Sequence, residues 1–593
     1  MSNWAKHAAS PFGDPAIEDM DAFTLERGKR GEQLHDEWRE RRAKHHGYAD
    51  QAYPFRYQGS ADLNTYKMFL EVAHHLLRQE GRLGMLVPSG IYTDQGSTDL
   101  RRLFLDHCCW EWLFGFINWQ RIFDIHSAFK FVVLLLEKGE STEQLQVAFN
   151  QVNLAELEQP GAVMFGFPRK QVEQFSPKSL AIIEPQSQRD LDILEKLYSG
   201  TILLGDQSER GWQIEYAAEF HMTNDSKLFP PLPKWMEKGY RPDGYGRWID
   251  VDGKVALPLY EGRMIGAFDP CEKGWVSGKA RSAVWRELPL ADKVFEPQYL
   301  ISNNDYIRQE KVLRGNKLAF MRIGSATNTR SMYAAYVGDM PCGEAVPALQ
   351  PAANDIVSLL SLVSCLNSFV YDYTLRCRLG GINISYFIIA ETPLTPPSHL
   401  LPTSCAQLAA QLNLIMSCFA PQWLELRKVY PLLSDQHWRK LWAITPHERL
   451  RLRCILDAII AELYGLDYDD FAWILRDDPS NPKGFWRVDK DKPKELRHTT
   501  LALAAFKRLK EVGLEAFCQE DWQFPRETGE QFGPRFTAWQ EQGTVAESWA
   551  ECEEHARRMK AIAVPLPESS RDGRNGKNRE RAVQETPVTL WDE

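Results

Sequence analysis

Apolar positions along residues 62–139 change period several times, and each change marks an element. Tyr66, Phe69, Leu70, Ala73, Leu76 and Leu77 recur at helical spacing, and Gly81 follows as a stop signal. Leu83 to Val87 is a short apolar run closed by Pro88-Ser89-Gly90, which predicts a buried strand. After a loop and a second helix, Phe131 to Leu136 is hydrophobic without interruption, the pattern of a strand covered on both faces. The predicted order is helix, tight turn, strand, loop, helix, strand.

Further along, residues 151–210 are mixed and read as connecting helix, loop and strand. Residues 211–400 hold many short apolar stretches separated by Gly, Pro, Asn and Asp, the pattern of a mixed α/β module. Within it, Ser361 to Tyr373 reads as an apolar helix. Residues 404–475 are helical, with Leu452, Ile455, Ile459, Ile460 and Leu463 along one broad face. A polar, Trp-containing segment, 476–563, follows. The last stretch, 564–593, is rich in Pro, Ser, Gly and Asn around RDGRNGKNRER and reads as disordered. Residues 17–50 are highly charged and read as an exposed helical insertion within a lead-in of residues 1–61.

The words carried by these elements resemble the large single-chain N6-adenine DNA methyltransferases of restriction–modification systems. Asp62-Leu63-Asn64-Thr65-Tyr66 and Gly81-Arg82-Leu83-Gly84-Met85-Leu86-Val87-Pro88 stand in that family's order and spacing. So do Gly380-Gly381-Ile382-Asn383-Ile384-Ser385-Tyr386-Phe387 and the closing Glu391-Thr392-Pro393-Leu394. The resemblance covers roughly residues 55–470. It implies an α/β fold in which a partial, Rossmann-like methyltransferase sheet (62–150) precedes a connecting and target-recognition α/β module (151–400) and a helical domain (401–475).

The family's catalytic Asn/Asp/Ser-Pro-Pro-aromatic phrase does not occur; the only Pro-Pro pairs are Pro230-Pro231 and Pro396-Pro397. Nor does a glycine-rich strand-turn-helix precede Asp62. The pattern is that of the downstream portion of such an enzyme, whether a split subunit, a truncated product or a mis-started reading frame. S-adenosylmethionine would then sit on a complementary methyltransferase half or defence-system subunit, and the substrate implied is double-stranded DNA. The alternative is a non-catalytic DNA-recognition (specificity) subunit or a defence-complex scaffold.

Adenine methylation needs a flipped base held against an aromatic ring. The resemblance places that ring on the strand from Phe129 to Leu136, with Phe131 first and Phe129 second, against the alternative of core phenylalanines. Candidate DNA contacts are Asn224, Arg263, Arg322, Asn328, Arg330, Arg376 and Arg378, since Asn and Arg donate to phosphates and read base edges. Each has a structural alternative: Thr327 and Asn328 as turn caps, Glu261 and Arg263 as an internal pair, Arg376 and Arg378 as basic residues at a helix C-terminus.

Composition narrows the field. The chain has 593 residues, 44% of them apolar, with 19 Trp and 29 Phe, and its length calls for several domains. The formal charge of −10, from 70 basic and 80 acidic residues, requires any nucleic-acid surface to be local. Residues 301–335 are the basic stretch, with Arg308, Lys311, Arg314, Lys317, Arg322 and Arg330 against Asp305 and Glu310. No spanning helix or secretion signal is apparent, and eleven scattered Cys without a C-x-x-C pair suit a reduced, cytoplasmic protein. His45-His46 and His74-His75 are adjacent and unsuited to share a metal on one helix face.

Overall fold

The Asn64 side chain accepts from the Tyr66 amide and starts helix α1 (Thr65–Leu76). The computed structural model describes residues 55–59 and 64–561, with Gln33 alone ahead of them. The charged stretch 17–50, His45-His46, Asp62-Leu63 and the tail 564–593 lie outside the described residues. After α1 come β1 (Arg82–Pro88), α2 (Thr98–His107), β2 (Cys108–Ile117), β3 (Lys130–Lys138), β4 (Gln144–Gln151) and β5 (Phe165–Pro168). They form a mixed sheet in the order β1-β3-β2-β4-β5.

Strand β3 runs antiparallel to both neighbours, with Val133 opposite Leu86 on one side and Phe114 on the other. Strands β1 and β2 are therefore parallel to each other, and β4 is parallel to β2. Helix α2 covers one face through Leu100, Phe104 and the T-shaped Phe104–Trp110 contact. Its Arg101 is fully buried and spends its guanidinium on the carbonyls of Ile91 and Ser179, tying the sheet to the next segment. Ser187 then caps α3 (Gln188–Tyr198).

The strands of the central module all pair antiparallel. Its strands are β6 (Glu215–Ala217), β7 (Arg241–Pro242), β8 (Trp248–Ile249), β9 (Val255–Pro258), β10 (Lys273–Ser277), β11 (Val284–Glu287), β12 (Leu300–Ser302), β13 (Lys317–Phe320), β14 (Ala334–Gly338) and β15 (Ala348–Gln350). One sheet runs β12-β9-β8-β7, another β14-β13-β15-β6, and β10-β11 stand apart as a two-stranded ribbon. A fully buried Lys317–Glu219 pair at 2.5 Å pins the second sheet, and the Glu219 carboxylate also accepts from the amides of Leu313 and Cys342. Such burial is tolerable only because every lone pair has work.

The helical body comprises α4 (Ile356–Leu366), α5 (Phe369–Arg378), α6 (Cys405–Asn413), α7 (Ala420–Val429), α8 (Pro446–Leu463), α9 (Tyr468–Ile474), α10 (His498–Val512) and α11 (Val545–Ala561). The single helix expected over 361–373 is broken at Asn367-Ser368. Asn367 turns its carboxamide onto both backbone groups of Ala334, and Ser368 caps α5 by accepting from the Tyr371 amide. Helices α4 and α5 thus pack with the helices beyond residue 401, in one continuous apolar core. Among the described residues no single helix is long and apolar enough to cross a membrane. The α4–α5 pair approaches that length and composition but bends by 62° inside this core. All eleven cysteines are free thiols, most of them buried.

Candidate nucleic-acid interface and an open sheet edge

Helix α1 is turned the opposite way from a surface helix. Its buried residues are Lys67, Leu70, Glu71 and His74, while Phe69 is 64% exposed, Leu76 81%, and Val72 exposed between them. The polar side faces inward because each charge finds partners there. Glu71 accepts from the Arg56 and Tyr57 amides and the Gln58 carboxamide, and Lys67 donates to the carbonyls of Gln58 and Gly96. Burial, helped by nearby Lys138, lowers the His74 pKa to about 4, and neither ring nitrogen has a hydrogen-bond partner. Phe69, Val72 and Leu76, at i, i+3 and i+7, form an outward apolar stripe of the kind that marks an interaction surface.

The stripe adjoins a second unpaired feature. Strand β1 bonds only to β3, so its outer edge presents free backbone donors and acceptors among the described residues, with Leu86 exposed on it. Helix α1 leads into β1 and packs on it, an order also found in the second half of a βαβ unit, whose first strand lies parallel beside the second. Here that place is the open edge of β1.

The turn after β1 is already filled: a Cβ on Gly90 would meet the Asp94 carboxylate at 2.3 Å and the Tyr66 hydroxyl at 3.0 Å.

Between β2 and β3 lies an aromatic loop held by one side chain. The Asn118 carboxamide donates to the carbonyls of Phe123 and Ile125 and accepts from the Phe123 amide at 3.0 Å. Trp119, Phe123, Ile125 and Phe129 are exposed around this knot. Phe131, the first candidate for stacking on a base, takes its alternative place in the core. It is 5% exposed, lies parallel to Phe116 with centroids 5.3 Å apart and receives the edge of Phe123 at 5.0 Å. Phe129, the second candidate, is 41% exposed at the end of the loop. Beside Trp119, a cleft of about 420 Å³ runs toward Asn150, Trp473 and Arg476. The sequence reading passed over Trp119 and Phe123, although two aromatics in a short polar loop between apolar strands were there to be noticed.

A buried charge cluster adjoins the cleft through Asn150. Glu184, almost fully buried, accepts from the Tyr92 hydroxyl at 2.8 Å, the Lys130 ammonium at 2.7 Å, the Lys483 ammonium at 2.5 Å and the Asn150 carboxamide at 3.3 Å. Burial alone would raise its carboxyl, but the two ammonium groups hold it down at about 2. Desolvation drops Lys130 to about 8 against the pull of Glu184.

Three of the seven arginine and asparagine candidates are structural. Arg376 is fully buried and donates to the carbonyls of Lys483, Gly484, Asn328 and Thr329, with Asp372 beside its Nε. Arg378 is nearly as buried, pairing with Glu391 at 2.6 Å and bonding to Tyr198 Oη and the Phe175 and Ile388 carbonyls. Both lie in the last turn of α5, as the reading of basic residues at a helix C-terminus had it, and both point into the core. Arg330 pairs with Asp372 at 2.7 Å and lies over the Phe369 ring.

The others face outward or stand half-buried. Asn328 is exposed, its amide bonded to Ser325 O, and Asn224 is exposed in a turn whose amides reach His221 Nδ1. Arg322 is half-buried. Arg263 is exposed, and the internal pair with Glu261 is absent: its Nη1 reaches the Ala283 carbonyl at 3.4 Å instead. Burial pushes the Glu261 carboxyl up to about 7.

The basic stretch 301–335 is largely spent inside the molecule. Lys311 pairs with Asp225, Lys317 with Glu219 and Arg330 with Asp372, while Arg314 stacks on Tyr306. Exposed cations without an ion pair among the described residues include Arg263, Lys279 and Arg281, around the tip of the β10–β11 ribbon.

No protein-family model matches this chain, and no curated protein does either. Among solved structures it is similar to the type IIG restriction endonuclease BpuSI, at 14% identity over 58% of this chain and 43% of that one, with a TM-score of 0.24. It is also similar to a chain from a study of complex assembly and conformational transition in a type I restriction–modification system, at 17% identity over 23% and 24%, TM-score 0.14. A third similarity is to the type IIL restriction–modification enzyme MmeI in complex with DNA, at 11% identity over 76% and 53%, TM-score 0.34. The chain spans about half or less of the length of each.

Proposed function

We propose that this chain is the recognition-bearing portion of a site-specific adenine-N6 DNA methyltransferase in a restriction–modification or phage-defence system. The observation that carries the reading is the open edge of β1 beside the outward apolar stripe of α1. An edge and an apolar helix face left uncovered among the described residues are what a half-domain would offer its complement. The complement would bring S-adenosylmethionine and the carboxamide or carboxylate that accepts from the adenine amine, on the same polypeptide or another.

The roles left to this chain are to bind duplex DNA, present the aromatic loop to the extruded base and hold both in one frame. Phe129, exposed at the end of the loop, is the proposed stacking ring, and Trp119, which lines the cleft, is the second aromatic available to a base. Base–aromatic stacking contributes on the order of 1–3 kcal/mol per base, enough to bias an unstacked adenine toward the protein.

The test is transfer of a labelled methyl group from S-adenosylmethionine to duplex DNA. The residues described here, produced alone, should show no transfer. Activity should appear when a glycine-rich, Asn-Pro-Pro-aromatic methyltransferase segment encoded beside this reading frame is supplied. Transfer by residues 55–561 alone would overturn the half-domain reading. Absence of any methylation or duplex binding by the reconstituted pair would overturn the function itself.

A further inference from the structure

The β10–β11 ribbon combines several features of a groove-entering probe. It is a sheet of two strands only, with Trp275 opposite Trp285 across it and a bulge between Trp275 and Ser277. Its root is fixed: Arg286 pairs with Glu296, the Trp275 amide donates to Glu296 O at 2.7 Å, and the Leu288 amide to Glu272 O at 3.0 Å.

Its tip is equally set. Gly278 has φ +78°, and a Cβ there would come within 2.3 Å of Ser282 O, so the turn closes tightly and wants glycine. The Gly278 carbonyl accepts from the Trp275 indole and from the Gln298 carboxamide, each at 3.1 Å. Ser282 Oγ closes on the Lys279 carbonyl at 2.8 Å. A pre-formed tip loses little freedom on binding.

Charge is sorted along the ribbon. At the root Arg286 is neutralised by Glu296, and Lys273 lies 3.7 Å from Glu287. At the tip Lys279 and Arg281 are exposed with no carboxylate paired to them, and Arg263 leans in against Ala283 O. Val276 and Val284, also exposed, give the ribbon an apolar flank that nothing in the fold covers.

We infer that this ribbon enters the major groove of duplex DNA, with Arg263, Lys279 and Arg281 on phosphates and Val276 and Val284 against base edges. The inference rests on the DNA-modifying reading above and adds the element that makes contact. A two-stranded ribbon fits a groove roughly 12 Å wide. Three unneutralised cations on an acidic chain supply the local attraction that its net charge denies. Thymine C5-methyl groups are the apolar feature of that groove that exposed valines can meet.

The experiment is fluorescence anisotropy of the full chain with mixed-sequence duplex oligonucleotides across a salt series, wild type against R263A/K279A/R281A. Each phosphate contact removed lowers the slope of log affinity against log salt by about 0.9, so the triple variant should lose roughly two to three units of slope and bind at least ~10-fold more weakly at low salt. Its melting temperature should be unchanged, since none of the three holds the fold. Val276→Asp with Val284→Asp, which places carboxylates against the bases while leaving the cations intact, should also weaken binding.

Wild-type binding to duplexes with slope and affinity unaltered in the triple variant would overturn the ribbon and leave the proposed function standing. Equal loss for single-stranded RNA, with no preference for the duplex, would overturn groove entry. No binding of any duplex by the wild type would overturn both readings together.

Discussion

The Glu184 carboxylate and the Lys483 ammonium, 299 residues apart along the chain, meet at 2.5 Å. Lys130, on the first residue of β3, reaches the same oxygen, so one carboxylate joins the half-sheet to the C-terminal helical body. Both lysines need it, because a buried ammonium without a counter-charge is costly.

Replacing Glu184 by Gln should therefore cost about 3–5 kcal/mol, the range for breaking a buried ion pair. Calorimetry should show a clearly lowered melting temperature. Adding Lys483→Met should recover part of the loss, since one uncompensated charge disappears with it. The carboxyl titrates below its ordinary value, so its contribution is complete above about pH 4.5 and is lost as the pH falls toward its folded pKa of about 2. E184Q should lack that acid-side decline.

His74 gives a second pH signature of the same sense. Burial holds the imidazole neutral in the fold, while in the unfolded chain it takes a proton near its ordinary pKa. The folded state therefore loses stability as the pH falls from about 6.5 toward 4. His74→Phe, apolar and close in shape, should melt with less pH dependence than wild type over that interval. Identical profiles would mean that the ring is solvated.

The exposed stripe of α1 separates folding from assembly. Phe69→Ser and Leu76→Lys remove apolar surface that the described residues do not cover, so the chain by itself should change by no more than ~0.5 kcal/mol. The same pair should abolish co-purification with the complementary methyltransferase segment and with it methyl transfer. A large drop in the melting temperature of the isolated chain would place the stripe in contact with its own remaining residues.

The stripe also shows how far the sequence was legible. The period of Tyr66, Phe69, Leu70 and Leu76 correctly marks a helix, and Leu83 to Val87 and Phe131 to Leu136 correctly mark strands, because local periodicity is set by local sterics. The first strand, however, is not buried as expected: only Val87 is, and Leu86 is exposed at the open edge. Which face turns inward is decided by partners far away. Glu71 is buried because residues 55–59 offer three donors to it, and no spacing rule encodes that. The arginines misled for the same reason. A run of basic residues looks solvated in one dimension, whereas Arg376 and Arg378 carry their charge into the core to satisfy loop carbonyls from Lys483, Asn328 and Phe175. The ribbon went unnoticed because Lys279 and Arg281 matter only once the turn at Gly278 brings Arg263 beside them.

Arg330 and Asn328 now separate. Removing Arg330 leaves Asp372 short of one of its two arginine partners and uncovers the Phe369 ring. Arg330→Ala should therefore lower the melting temperature, at a cost of about 2–4 kcal/mol for a broken, largely buried charged contact. Asn328→Ala should leave stability within ~0.5 kcal/mol, because only its backbone takes part in the fold, and any loss of duplex affinity on that substitution would belong to its side chain.

The two phenylalanines at the start of β3 make the sharpest contrast. Phe131→Ala empties a site packed by Phe116 and Phe123 and should cost about 3–5 kcal/mol, as large-to-small core changes do. Phe129→Ala removes a ring that stands mostly outside the core and should leave the melting temperature nearly unchanged. In the reconstituted enzyme, with 2-aminopurine at the target adenine, the fluorescence rise that reports base extrusion should shrink in F129A. If F129A extrudes and methylates like wild type, the stacking ring lies elsewhere in the loop, and Trp119→Ala, which removes the loop aromatic that lines the cleft, becomes the variant that must show the loss.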